Sequence, residues 1–260
     1  MSLISLAQKN LLPLFQFMDR ETLNWIKENR PNFSSKTILN RHLLNSIKED
    51  VIRFTPLRTW YLEKETIDSI HGLRHTMRVI ANLSFIIQEA KIHDGLKTKA
   101  FISASIHDLR RKNDKNDRGH GKRAAYWFAK NAGSVLNFFN VSLDTTDLQD
   151  IQKCVLFHEI PYGELERNNS YIAANDSCKM MIDLLKTADA LDRYRLPKIK
   201  WWINEKYLRH LPSETAKILA YEMVLISERL FLERKNSVDS VLQAIDKIRN
   251  RRKFYIWTKK

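Results

Sequence analysis

The sequence predicts an all-α protein. Glycine and proline number six each in 260 residues, so turns are few and elements long. Apolar residues recur at helical spacing through most of the chain. Nowhere does apolar–polar alternation persist long enough to make a strand.

Residues 1–62 carry helix-like segments and are expected to form a helical extension. Within it a helix is expected over 19–30, with Asp19 or Glu21 near its start, closed by Pro31 and followed by a turn at 32–35. The core is expected over 63–210. Its first helix covers 65–92, with Gly72 as a weak point, and the second covers 97–111. The polar, glycine-containing run 114–121 reads as a loop. A third helix spans 122–132 and stops at Gly133. The fourth, 145–160, has Thr146 or Asp147 placed to cap it. The fifth, 178–196, stops at Pro197, and a shorter helix is expected over 202–211. Residues 211–260 complete the chain as C-terminal helices, 213–234 and 237–252, opened by Ser213 and Ser237 and ending in a basic tail.

The formal net charge is +14. Such an excess attracts anions, so nucleotides, nucleic acid and anionic lipid are all candidate partners, and a merely basic, soluble surface is the plain alternative. Cys154 and Cys178 are the only cysteines and form no CxxC pair, which favours a reducing, cytoplasmic setting. The first residues lack a basic opening and their apolar run is interrupted by Gln8, Lys9 and Asn10, so no signal peptide is expected. No run approaches the roughly 20 apolar residues of a membrane span, so no membrane insertion is expected. Motifs of the GxxxxGK[ST], GxGxxG and GxSxG types are absent, which removes nucleotide kinases, Rossmann enzymes and serine hydrolases.

Metal-type side chains stand out against these apolar helices. His71 and His75 are four apart and would share a helix face. His107 and Asp108 follow the small-residue run FISASI, His158 lies in CVLFHEI, and Asp189 lies in LLKTADALDRY. His120 sits in the loop. Any one histidine is more often a satisfied structural residue. Asp189 carries more weight, because a carboxylate in an apolar segment is costly unless paired or bound to a cation; its plain alternative is an ion pair with Arg193. Imidazole and carboxylate together suit Mn, Fe, Co, Zn or, with more oxygen ligands, Mg.

The ordered blocks HGLRHTMRV, SIHDL and KTADALDR, with HDLRRKNDKNDRGHG around the second, resemble the HD-domain superfamily of metal-dependent phosphohydrolases over about residues 66–210. The resemblance implies a helical bundle in which His75, His107, Asp108 and Asp189 hold a first divalent metal. It also implies that Asp108 bridges to a second ion held by His120 and His158, so that one or two ions (Mn, Fe, Co, Ni, Zn or Mg) are expected. His71 would be an extra ligand or a donor behind one. The implied substrate is a phosphorylated small molecule, foremost a nucleotide.

Arg78, Arg110 and Arg118 are expected to contact phosphate or to support the ligands. Lys112, Lys122 and Arg123 read as solvated or paired with Asp114 and Asp117. Those two aspartates are expected either to act as general bases toward a water or to cap the loop. His42, His93 and His210 read as surface residues. The alternative function is a nucleic-acid-binding or regulatory protein on the same scaffold, or a nuclease. The aromatic, basic tail 251–260 and Trp201 with Trp202 favour that alternative.

Overall fold

Capping side chains decide where the helices begin. In this computed structural model, which describes residues 1–33 and 41–250, Asp19 accepts from the backbone N–H of Thr22 at 2.8 Å and from the Thr22 hydroxyl at 2.9 Å. It also accepts from the Leu3 N–H at 2.6 Å. One carboxylate therefore opens α2 (Arg20–Glu28) and ties α1 (Leu3–Gln8) to it. After α3 (Arg41–Phe54) come α4 (Leu73–Glu89), α5 (Asp94–Ile106), α6 (His120–Phe139) and α7 (Thr145–Phe157). Two single turns, α8 (Tyr162–Leu165) and α9 (Asn169–Ile172), lead to α10 (Asp176–Leu191), α11 (Glu214–Arg234) and α12 (Ser237–Asn250). No strand occurs among the described residues, so the all-α class holds. The expected turn residues 34–35 and the basic tail 251–260 lie outside them.

Several boundaries differ from expectation, each for a local reason. The helix expected over 65–92 begins only at Leu73. Gly72 is its extended N-cap, and a Cβ there would lie 2.1 Å from Thr66 O and 2.2 Å from Ile67 O. Only glycine fits that close approach, so His71 falls outside α4. α6 does not stop at Gly133, which has open space around it, but at Asn140 in the left-handed conformation (φ 52°). An interior glycine costs a helix about 1 kcal/mol, too little to end it. Asp144, not Thr146 or Asp147, caps α7 by accepting from the Asp147 N–H at 2.8 Å. Residues 202–211 make no α-helix. Trp202 is extended, donating its indole N–H to Leu196 O, and Asn204 accepts from the Lys206 N–H in a local turn.

α4 is the axis of the bundle. Every residue from Leu73 to Ile87 is buried, because α3, α5, α10, α11 and α12 all pack around it. One hydrophobic core runs from Leu3 through Val51 and Phe101 to Ile248, so the extension, the centre and the C-terminal helices share it. Among the described residues no helix is long and apolar enough to cross a membrane.

Candidate metal centre

The site forms where helix ends meet. His75 lies in the first turn of α4. α5 stops at Ile106, which leaves His107 at its C-cap and Asp108 just beyond. His158 occupies the same position on α7, and His120 is the first residue of α6. Gly119 turns the chain into α6 with φ 82°. A Cβ on Gly121 would lie 2.7 Å from Val155 O and 3.1 Å from His158 Cε1, so glycine lets α6 meet α7 closely enough to bring His120 to His158. Asp189 comes from the last turn of α10.

Asp108 sits at the middle of these groups. One carboxylate oxygen is 3.5 Å from His75 Nε2; the other is 3.0 Å from His120 Nε2 and 3.6 Å from His158 Nε2. His75 Nε2 is 3.2 Å from His107 Nε2 and 3.4 Å from Asp189 Oδ1. His120 Nε2 is 3.0 Å from His158 Nε2. Two triads result, His75–His107–Asp108 and Asp108–His120–His158, each with its ligand atoms within 4.8 Å of one another.

The outer nitrogens set the tautomers. His107 Nδ1 donates to Ala104 O at 2.8 Å, and His158 Nδ1 to Val155 O at 2.7 Å. His75 Nδ1 lies 2.8 Å from Asp192 Oδ2 and donates to that carboxylate. A carbonyl or carboxylate oxygen only accepts, so Nδ1 carries a proton in all three rings and Nε2 is the nitrogen turned toward Asp108. Burial holds the His107 imidazole down at about 3, so with Nδ1 donating to Ala104 its Nε2 keeps a free lone pair toward His75. The two buried Nε2 atoms lie 3.2 Å apart, beside the carboxylates of Asp108 and Asp189. Metal–nitrogen bonds of about 2.0–2.1 Å place two neighbouring ligand nitrogens roughly 3 Å apart. These residues fit a divalent cation and could hold one.

The His120 side differs. Burial pulls its imidazole down, but Asp108 and then Glu159, whose Oε2 is 3.1 Å from Nδ1, outweigh that and raise it to about 9. A proton and a cation therefore compete there. Glu159 also accepts from the N–H groups of Gly119 (3.0 Å) and Gly121 (2.8 Å). Burial alone would raise Glu159, yet the bond and charge of His120 bring it to about 2.

The other expected residues fall elsewhere. His71 pairs with Asp114 at 3.0 Å, its ring 5.9 Å from that of His75 but in neither triad. Asp114 also accepts from Gln16 N–H (2.6 Å) and the Ser69 hydroxyl (2.8 Å), so it anchors the N-terminal loop to the turn before α4. Asp117 accepts from the Lys112 N–H and pairs with Arg123, the loop-capping alternative. Arg78 needs correction as a phosphate contact. Its side chain is 1% exposed and is spent on Asp192 (2.6 Å), Glu228 (2.7 Å) and Ser227 (3.1 Å). Arg110 turns to Trp60 O and the Trp127 ring rather than to the triads. Arg118 stays exposed on the loop before His120. Arg193 is exposed, and it is Arg195 that bears electrostatically on Asp189. His42 and His93 are exposed and His210 half-buried.

Three contributors escaped the sequence reading. Asp192, one turn past Asp189, orients His75. Glu159, next to His158, holds His120. Arg111, next to Arg110, lies 3.6 Å from Asp108 Oδ1, three residues along the chain. Asp189 is the opening of the site: its side chain is 34% exposed, against 9% or less for the other five expected ligands. Beside it Lys186 donates to His158 O and Ile160 O (2.9 and 2.6 Å), and burial lowers its ammonium to about 8. A cavity of about 300 Å³ along α10, lined by Asp176, Lys179, Asp183, Arg209 and His210 among others, includes none of the expected ligands. No family model, curated protein or solved structure matches the chain.

Proposed function

We propose that the protein is an HD-type, metal-dependent phosphohydrolase acting on a phosphoester or phosphoanhydride of a nucleotide or related substrate. The observation that carries this reading is the buried contact of His75 and His107 beside Asp108. Both rings spend Nδ1 on an acceptor and turn their Nε2 atoms toward each other at 3.2 Å. His75, His107, Asp108 and Asp189 would hold a first cation, and Asp108, His120 and His158 a second. A bound divalent cation supplies Lewis-acid polarisation and charge neutralisation at phosphate.

The chain's own residues do the positioning. Asp192 and the carbonyls of Ala104, Val155 and Asp117 fix the four rings. Asp189 leaves one side open, as a catalytic site requires and a structural one does not. Exposed Arg193 lies four residues past Asp189, and Arg118 two before His120, where cations favour an anionic substrate. The two free, buried thiols, Cys154 and Cys178, suit the cytoplasm.

The test is a screen of purified, chelator-stripped protein. Nucleoside mono-, di- and triphosphates, cyclic nucleotides and oligonucleotides are offered with Mn, Fe, Co, Ni, Zn and Mg in turn. Turnover that needs added metal and stops with chelator is the expected result. Turnover indifferent to chelator, or oligonucleotide binding with no cleavage of anything, would overturn it.

A further inference from the structure

A chain of buried charge runs from the metal centre to the C-terminal helices. Arg74 and Arg78 stand one turn apart on α4, both fully buried. α11 places Glu228 between them. Arg78 donates to Glu228 Oε1 at 2.7 Å, and Arg74 Nε lies 3.1 Å from both carboxylate oxygens. Arg74 also donates to the Ser237 hydroxyl of α12 at 3.1 Å and stacks on Phe231, 3.5 Å from the ring centroid. On its other side Arg78 grips Asp192 with Nε at 2.6 Å and Nη2 at 3.1 Å. Asp192 Oδ2 is the acceptor of His75 Nδ1.

That oxygen is contested. His75 Nδ1 at 2.8 Å, Arg78 Nη2 at 3.1 Å and Arg195 Nη1 at 3.3 Å all compete for it. Arg78 keeps Asp192 facing His75, because Glu228 and Ser227 fix the far side of the same guanidinium. If Glu228 lets go, nothing charged holds Arg78 from behind, and Asp192 can turn toward Arg195.

We infer that Glu228 is a positioning residue for His75: through Arg78 and Asp192 it holds the ring with Nδ1 donating to Asp192 and Nε2 turned toward Asp108. The C-terminal helices are thus part of the centre. The effect on metal binding rests on the function proposed above; the effect on the tautomer does not.

The experiment reads both. Imidazole nitrogen NMR of the full-length, metal-free protein reports which nitrogen of each ring carries the proton. His107, held by the Ala104 carbonyl, is the internal control. In Glu228→Gln the His75 ring should lose the fixed Nδ1–H hydrogen bond to Asp192, with a changed Nδ1/Nε2 proton distribution, while His107 keeps its own bond to Ala104. Glu228→Asp, which retains the charge, should restore most of it. Ser227→Ala, which removes one neutral acceptor from Arg78, should move His75 less and in the same direction, and it serves if the charge variant folds poorly. Asp150→Asn breaks a comparable buried pair with Lys99, 3.1 Å long and remote from the chain, and should leave His75 alone. Metal titration should show binding at the His75 position weakened roughly ten-fold in Glu228→Gln, the scale of an outer-shell defect. A His75 tautomer unchanged in Glu228→Gln and Ser227→Ala, with only melting temperature lowered, reduces Glu228 to a structural residue and overturns the inference. Wild-type protein that binds no metal overturns the proposed function instead, and the tautomer data still decide the role of Glu228.

Discussion

The two halves of the cluster share Asp108 but differ in what surrounds them. The His75–His107 half lies among α4, α5 and α10, backed by Asp192 and the charges behind it, and burial keeps His107 unprotonated down to about 3. The His120–His158 half lies where a loop enters α6, and there Asp108, with Glu159 behind the ring, favours a proton on His120 up to about 9. In the first half His107 stays neutral and offers its Nε2 lone pair toward His75. In the second His120 holds its extra proton. Equal numbers of imidazoles thus make two candidate positions that differ in whether a cation would have to displace a proton from an imidazole raised to about 9.

The largest effect should come from the shared residue. Asp108→Ala removes the carboxylate of both triads, so turnover on any substrate found should drop by more than the roughly 10–100-fold typical of an outer-shell change. Far-UV circular dichroism should stay helical. Wild-type turnover in this variant removes the enzyme reading.

Next is the double change His120→Ala with His158→Ala. Elemental analysis after loading with excess Mn should fall from two ions to one, with the His75 position retained. A count of one in both proteins returns these histidines to substrate binding or structure, and the comparison above loses its second half.

A smaller effect is expected from Gly121→Ala. The new methyl would meet Val155 O at 2.7 Å and His158 Cε1 at 3.1 Å, so α6 and α7 must part slightly. Overpacking of this kind costs about 1–3 kcal/mol. Thermal melting should record that loss, and titration should show weaker binding at the second position with the first unchanged. Equal weakening at both would mean that the halves are not separable.

The contrast between the halves was only partly legible in the sequence. Helix dominance followed from apolar spacing and scarce glycine and proline. The candidate ligands, each weak alone, stood out as a set because the ordered blocks that carry them resemble the HD-domain superfamily. What sets them apart electrostatically comes from far along the chain: Asp192 is 117 residues from His75, and Glu228 is 150 from Arg78. Composition cannot tell a buried arginine from an exposed one, so Arg78 read as a phosphate contact. Gly72 and Gly133 show the same limit. One is required by a carbonyl 2.1 Å from its absent Cβ and the other faces open space, yet both are single glycines in helical runs.

The finest discrimination is in pH. His120 is raised in the folded, metal-free protein to about 9, above the ordinary histidine value of about 6.5. Its charge therefore stabilises the metal-free fold fully below about 6.5, and that contribution is lost as pH rises through about 9. A cation at the second position must displace this proton, so its affinity should fall by up to about ten-fold per pH unit as pH drops below 9. The first position should stay nearly flat over the same window, since His107 holds no proton there. Glu159→Gln sharpens the point. It removes the weaker of the two carboxylates that raise His120, leaving Asp108, yet keeps one carbonyl oxygen for the Gly119 and Gly121 N–H groups. At high pH the variant should bind the second cation somewhat more weakly, having lost a nearby negative charge. At low pH the proton competes less, so the two curves should converge as pH falls. Mn titrations followed by electron paramagnetic resonance, from pH about 6 to about 9, measure this directly. Parallel curves would show that Glu159 only holds the glycine turn and that the proton on His120 belongs to Asp108 alone.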